Sequence, residues 1–241
     1  MSYDIIIIII LTAGIQSIFG TGVLLFGTPL FLIMGYSFHF TLTILLPTSI
    51  LISLLQLKNG FTDVDFNFYK KLIIYCVPFI FISLYYSGNI LIQINYLIGV
   101  LLIIISLKGS VQLIDRLLKF LIQFENIYFI IMGILHGFTN LGGSLLSVTI
   151  FNKDYSKITK RSTIAICYLS MAIIQIITLS YIITKDDLLI IINMPYWLFG
   201  PVVFILVEKY IFFKIDDKKY INYSNTFLFI IGLVLIIKTL N

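Results

Sequence analysis

At 241 residues the chain has the length of one or two ordinary domains, but 60% apolar residues, 11% charged residues and a mean hydropathy of +1.08 exclude a water-soluble fold. Soluble domains carry about 25% charged residues. The 16 basic and 11 acidic side chains leave a net charge of +5 with no basic stripe interleaved with aromatics, so nucleic-acid binding is excluded and the charge reads as loop asymmetry orienting an integral membrane protein.

The start, Met1-Ser2-Tyr3-Asp4 followed by an apolar stretch, lacks a basic segment and a small-residue cleavage site, so it is expected to be retained rather than removed as a signal. Polar interruptions then divide the chain into apolar runs at 5–34, 39–57, 72–87, 94–107, 127–151, 162–183, 188–207 and 225–237. Most approach the roughly 17–25 residues that cross hydrocarbon as a helix. The run 5–34 would be about 45 Å long as one helix, against a core of about 30 Å. It is interrupted at Gly20-Thr21-Gly22, and 127–151 is interrupted in the same way at Asn140-Leu141-Gly142-Gly143. Each is predicted to form two half-helices. The cysteines, Cys76 and Cys167, lie far apart in apolar runs and outside any CxxC or Cys/His cluster, so no zinc site or disulfide framework is expected.

Lys and Arg concentrate in 58–71, 108–119, 153–161 and 209–219, whereas the N-terminus, 36–38, 86–95 and 184–187 are poor in them. If both broken runs are re-entrant hairpins, every rich loop falls on the cytoplasmic side and every poor one outside, with Lys238 alone dissenting. If each broken run crosses once, the basic loops on either side of 127–151 must lie on opposite sides. The hairpin arrangement leaves three crossings per half, so the second half is expected upside down relative to the first. A shift of 120 positions superposes Gly22 on Gly142, Leu25 on Leu145, Phe31 on Phe151 and Thr43 on Thr163; farther along, Pro78 matches Pro201 and Ile98-Gly99-Val100 matches Ile231-Gly232-Leu233. The fold class expected is therefore an all-α polytopic membrane protein of two inverted repeats, 1–107 and 127–241. Between them, 108–126 has Leu113, Leu117, Leu121 and Phe124 on one side and Asp115, Arg116 and Lys119 elsewhere, as an amphipathic helix on the cytoplasmic membrane surface would.

The second break, Gly133-Ile-Leu-His136-Gly137-Phe-Thr-Asn140-Leu-Gly142-Gly143-Ser144, resembles the glycine-rich signature GxxxGxxGxGGG of the TauE/SafE family of sulfite-exporter-type permeases. Gly133, Gly137, Gly142 and Gly143 stand in register, while Asn140 and Ser144 replace two glycines. In the first half Gly20 and Gly22 fit, and Val23 and Leu24 replace later glycines. Pro29 falls near the family's downstream proline and His39 matches its histidine, but Ile44-Leu45 stand where Thr-Ser is usual. The resemblance implies secondary transport of a small sulfur-containing or organic anion across the cell inner membrane.

The residues lead to a compatible expectation on their own. Broken helices at the midplane of inverted repeats point half-helix N-termini, each carrying about half a positive charge, at one anion. Glycine lets the backbone approach, and Thr21, Asn140 and Ser144 add donors. The candidate substrate-binding residues are Gly20, Thr21, Gly22, Asn140, Gly142, Gly143 and Ser144. Gln16 and His136, which align with each other, and His39, Thr48, Ser49 and Gln175 are candidates for the pathway or a proton relay, each with a structural alternative: helix packing, an interface position or a bond to its own helix. Arg161, at a helix start, reads as an anchor, and Pro47, Pro78, Pro195 and Pro201 as kinks.

With no carboxylate inside any run, the usual proton or sodium relay is missing. An anion leaving an inside-negative cell gains about 2.3 kcal/mol per charge per 100 mV, so export is favoured. The expected partners are a small anion and the lipid bilayer, with no cofactor, metal or catalytic residue implied and no enzymatic activity expected. The alternatives are an anion channel, or a membrane thiol-redox protein using Cys76 and Cys167.

Overall fold

The computed structural model describes residues 2–19, 21–58, 60–87, 94–182, 194–210 and 217–240, and every element among them is helical. In chain order these are α1 (Tyr3–Phe19), α2 (Val23–Met34), α3 (Phe38–Lys58), a 3-10 turn (Phe61–Asp63), α4 (Phe66–Tyr75), α5 (Val77–Tyr86), α6 (Ile94–Ser106), α7 (Gln112–Gln123), α8 (Glu125–Thr139), α9 (Gly142–Phe151), α10 (Lys157–Ile182), α11 (Met194–Trp197), α12 (Phe199–Tyr210) and α13 (Asp217–Leu240). Three segments are long and apolar enough to cross a membrane: α3, α10 and Phe66–Tyr86. The α7–α8 pair, bent by 114°, makes a fourth if it is taken as one span. The chain is thus a helical protein suited to a bilayer.

Local chemistry sets the ends of these helices. Asp65 begins α4 by accepting hydrogen bonds from the Asn67 and Phe68 amides, both at 3.0 Å. Pro78, which has no N–H to offer, sits in the first turn of α5 and separates it from α4 at Cys76. Gly35 closes α2 in the left-handed region, at φ 96°, where its amide and that of Tyr36 return to Leu32 and Phe31. Pro47 lies inside α3 and leaves the carbonyl four residues earlier, that of Thr43, without its helical donor; the Trp197 indole N–H supplies one at 3.1 Å.

Polar contacts sort the connections to two ends of the bundle. At one end the Tyr36 hydroxyl donates to Asp4, the Ser2 amide to the Tyr196 hydroxyl and the Lys238 ammonium to the Ile33 carbonyl, each at 2.7 Å. At the other, Lys71 pairs with Glu125 at 2.5 Å, Lys153 lies 4.0 Å from both Asp65 and Glu125, and Arg161 pairs with Glu208. The end of α2 therefore returns to the start of α1, and the end of α9 to the start of α8. Helix α13 runs from Asn225, bonded to the Lys108 carbonyl, to Lys238, bonded to Ile33, which puts Lys108 at the end opposite Ile33. Lys71, Lys108, Lys153 and Arg161 accordingly share an end.

Helix packing joins the first and second parts of the chain throughout. Helix α6 lies along α13, α3 along α10, α5 along α8 and α1 along α12. Close approach rests on glycine, as expected where lipid offers no hydrophobic drive for association. A Cβ at Gly137 would fall 2.6 Å from the Ser83 Cβ and 2.7 Å from the Ile80 carbonyl oxygen on α5. Gly99 and Gly232 face each other across the α6–α13 contact, where a Cβ on either would come within about 3 Å of the other's carbonyl oxygen.

Candidate functional site

Both predicted breaks occur. Helix α1 ends at Phe19 and α2 begins at Val23; α8 ends at Thr139 and α9 begins at Gly142. Gly20 lies outside the described residues. At the second break Asn140 takes a left-handed conformation, φ 62°, the sole non-glycine residue with positive φ among the described residues, and its amide closes α8 on the His136 carbonyl at 2.7 Å. Asparagine tolerates this conformation better than most side chains.

The two breaks share a device. The first N–H of α2, on Val23, donates to Gln16 Oε1 at 3.1 Å, and the first N–H of α9, on Gly142, donates to His136 Nδ1 at 3.1 Å. Gln16 and His136 are the residues that the shift of 120 positions superposes. Because His136 accepts through Nδ1, its neutral ring carries the proton on Nε2. That atom is buried without a hydrogen-bond partner, beside the equally unpartnered Gln175 amide. In the first half Gln16 Nε2 reaches Ser49 Oγ at 3.2 Å, and Gln56 Nε2 donates to the Gln16 carbonyl at 2.8 Å. Each break is thus backed by polar residues of the long helix behind it, α3 or α10.

The breaks also meet each other. Asn140 Nδ2 donates to Thr28 Oγ1 on α2 at 2.9 Å, and Ser147 Oγ on α9 donates to Thr21 Oγ1 at 3.3 Å. The Tyr168 hydroxyl of α10 occupies the space that a side chain at Gly143 would need. Thr21, Thr28, Asn140, Gly142, Gly143 and Tyr168 are all buried, and the Asn140 Oδ1 atom has no partner. The result is a closed polar seam between two half-helices, the start of each set against the second turn of the other, with hydroxyls and an amide as its donors. No protein-family model, curated protein or solved structure matches this chain.

Of the residues expected from sequence, Thr21, Gly22, Asn140, Gly142 and Gly143 come together at the seam, with Gln16, Ser49, His136 and Gln175 directly behind it. Ser144 points elsewhere: its hydroxyl returns to the Leu141 carbonyl and it lines an apolar cavity on the other face of α9. Thr48 bonds back to Ile44 and packs on Gly200 of α12. His39 begins α3, ten residues or about 15 Å along the helix from Ser49. Arg161 is nearly buried, ion-paired with Glu208 and close to the Phe204 ring. Cys76 and Cys167 are buried free thiols.

Sequence reading missed Thr28, Ser147 and Tyr168. The first two resembled the many hydroxyl residues that bond back to their own helix, as Ser147 also does to Gly143. Tyr168 carried a usable signal: tyrosine in membrane helices favours the interfaces, and this one lies mid-run.

Proposed function

We propose that the chain is a secondary transporter of a small anion, a sulfite-like oxyanion, sulfonate or short carboxylate, and that the seam is its substrate site in the closed state. The observation that carries this reading is the contact of the two half-helices, the start of each lying against the second turn of the other through Asn140–Thr28 and Ser147–Thr21, at a buried place where every donor is neutral. An anion in the seam meets hydroxyl and amide donors beside the start of each half-helix, where the dipole is positive, without requiring a buried cation. In the closed state these donors bond to one another; entry of the anion exchanges those bonds for bonds to its oxygens.

The reading takes each broken run as a re-entrant hairpin and the two halves as inverted repeats. Supporting it, the ends of each broken run lie together, and when the halves are exchanged the helix pairs α3–α10 and α6–α13 map onto themselves and α1–α12 maps onto α5–α8. The Gly99–Gly232 contact adds that residues matched between halves touch, as they must near a two-fold axis. On this reading the basic end is cytoplasmic in the cell inner membrane. The resemblance to TauE/SafE permeases is part of the same proposal and rests on the motif residues alone.

Purified protein should be stabilised by at least one member of a panel of sulfite, thiosulfate, sulfonates and short carboxylates, by about 2.7 kcal/mol at 100 times its dissociation constant. Asn140→Ala should weaken that anion roughly 10-fold to 150-fold, the loss of one hydrogen bond to a charge. In liposomes the same anion should show saturable counterflow. Flux that never saturates would make the protein a channel, and no stabilisation by any anion would remove the seam as a binding site.

A further inference from the structure

On the face of α9 opposite the seam, a cavity of about 160 Å³ lies between α6, α7, α8 and α9. Its walls are apolar, among them Leu101, Ile105, Leu121, Ile131 and Leu145. The two hydroxyls that touch it are already spent: Tyr128 donates to the Leu145 carbonyl at 2.7 Å and Ser144 to the Leu141 carbonyl at 2.7 Å. Water gains nothing there, since a cavity of this size with such walls stays dry and takes an apolar guest. Ile104, on its rim, is exposed on the outer surface of the bundle, so the cavity is reached from the side.

One charge stands on the lining. Lys108, half-buried at the end of α6, has no carboxylate within ion-pair distance among the described residues. The acid that acts on it among the described residues, Asp115, is engaged with the Gly109 amide at 2.9 Å. The neighbouring α7 completes the setting: Leu118 and Leu121 turn toward the cavity, Leu113, Leu117, Phe120 and Phe124 are exposed, and Arg116 and Lys119 add two more exposed cations. A helix of this kind lies at the headgroup level with its apolar side in the acyl region. A cation at that depth above a dry apolar slot matches a ligand with a negative head and a hydrocarbon tail.

We infer that this cavity binds an anionic phospholipid of the adjacent leaflet, one acyl chain filling the slot and the phosphate meeting the Lys108 ammonium. This site is independent of the anion-transport reading. The bound chain rests against Leu141 and Ser144, at the base of the second half-helix, so lipid occupancy supports the second break from behind.

Native mass spectrometry of the full chain, titrated with dioleoyl phosphatidylglycerol and separately with dioleoyl phosphatidylcholine, tests the assignment. One phosphatidylglycerol should bind in preference to phosphatidylcholine, and Lys108→Ala should weaken it about 5-fold, the worth of one basic residue near an anionic headgroup, while leaving phosphatidylcholine unchanged. Ile105→Phe, which fills the slot, should release both lipids. Should that variant not fold, Leu121→Phe fills the same space from the opposite wall, and Lys108→Ala, in an open turn, decides the charge by itself. Equal binding of the two lipids with no effect of Lys108→Ala overturns the inference. So does competition by glycerol 3-phosphate as strong as that by the lipid, which would mark a site for free phosphate.

Discussion

His136 shows how one side chain holds a break together. It takes up the first amide of α9 while belonging to the last turns of α8, and Gln16 performs the same task for α2. A glutamine at 136 retains an acceptor for that amide, whereas a leucine leaves it buried and unsatisfied at a cost of about 1–3 kcal/mol. His136→Gln should therefore melt close to the unchanged protein and His136→Leu clearly below it. Equal melting temperatures would show that the capping bond contributes nothing. The glycines beside these residues act differently from a simple ligand cradle. A Cβ at Gly22 would fall 2.5 Å from the Gln16 backbone nitrogen and 2.9 Å from the Thr12 carbonyl oxygen, atoms that cannot give way. Gly22→Ala is expected to lose folded protein, so Asn140→Ala, not a glycine change, is the informative test of binding. Outside the membrane, burial raises the Asp65 pKa, but the Tyr155 hydroxyl, the Phe68 and Asn67 amides and the Lys153 charge outweigh it and hold the carboxyl below its ordinary value. A carboxyl depressed on folding contributes stability above its unfolded pKa of about 3.9 and loses it as pH falls through the folded value. Asp65→Asn should flatten the acid limb of the stability profile measured by thermal melting from pH 6 down to pH 2.

At the scale of elements, the broken runs, the amphipathic segment before α8 and the grouping of basic loops were legible because each leaves a mark of composition. The gap at Gly20-Thr21-Gly22 and the one at Asn140-Leu141 fall where small and turn-forming residues interrupt apolar sequence. Helix boundaries were less legible where polar residues are helical. Helix α4 starts at Phe66, six residues before the apolar run, because Asp65 caps it and Lys70 and Lys71 lie along its length. The roles of the motif glycines divide on packing, which spacing cannot express: Gly142 and Gly143 lie at the seam, but Gly133 and Gly137, four apart, let α8 press on α5. Gly137→Ala meets the Ile80 carbonyl oxygen and the Leu84 amide nitrogen of α5 at 2.7 and 2.9 Å. It should cost about 1–3 kcal/mol, the usual toll of overpacking, read as a lower melting temperature. No change would mean that α5 and α8 slide freely. The seam's hydroxyl partners could not be read at all, since Thr28 and Thr21 find Asn140 and Ser147 across more than a hundred residues of chain.

For the molecule as a whole, the two clusters of end contacts make a prediction about sidedness. With Cys76 and Cys167 replaced, a single cysteine at position 157 should resist a membrane-impermeant maleimide in intact cells, and one at position 37 should react. Labelling of 157 from outside would reverse the basic-end assignment. The pairing of α1 with α12 and of α8 with α5 has a different kind of consequence. Each portion of the chain lends a wall to the other's broken run, α12 to α1 and α5 to α8. Gly109, in a left-handed turn with open space around it, is a natural place to sever the backbone between those portions. Two fragments made together from such a split gene should assemble into one stable particle, and either fragment made alone should be cleared by membrane proteolysis, because half of this architecture is a surface with its mate missing.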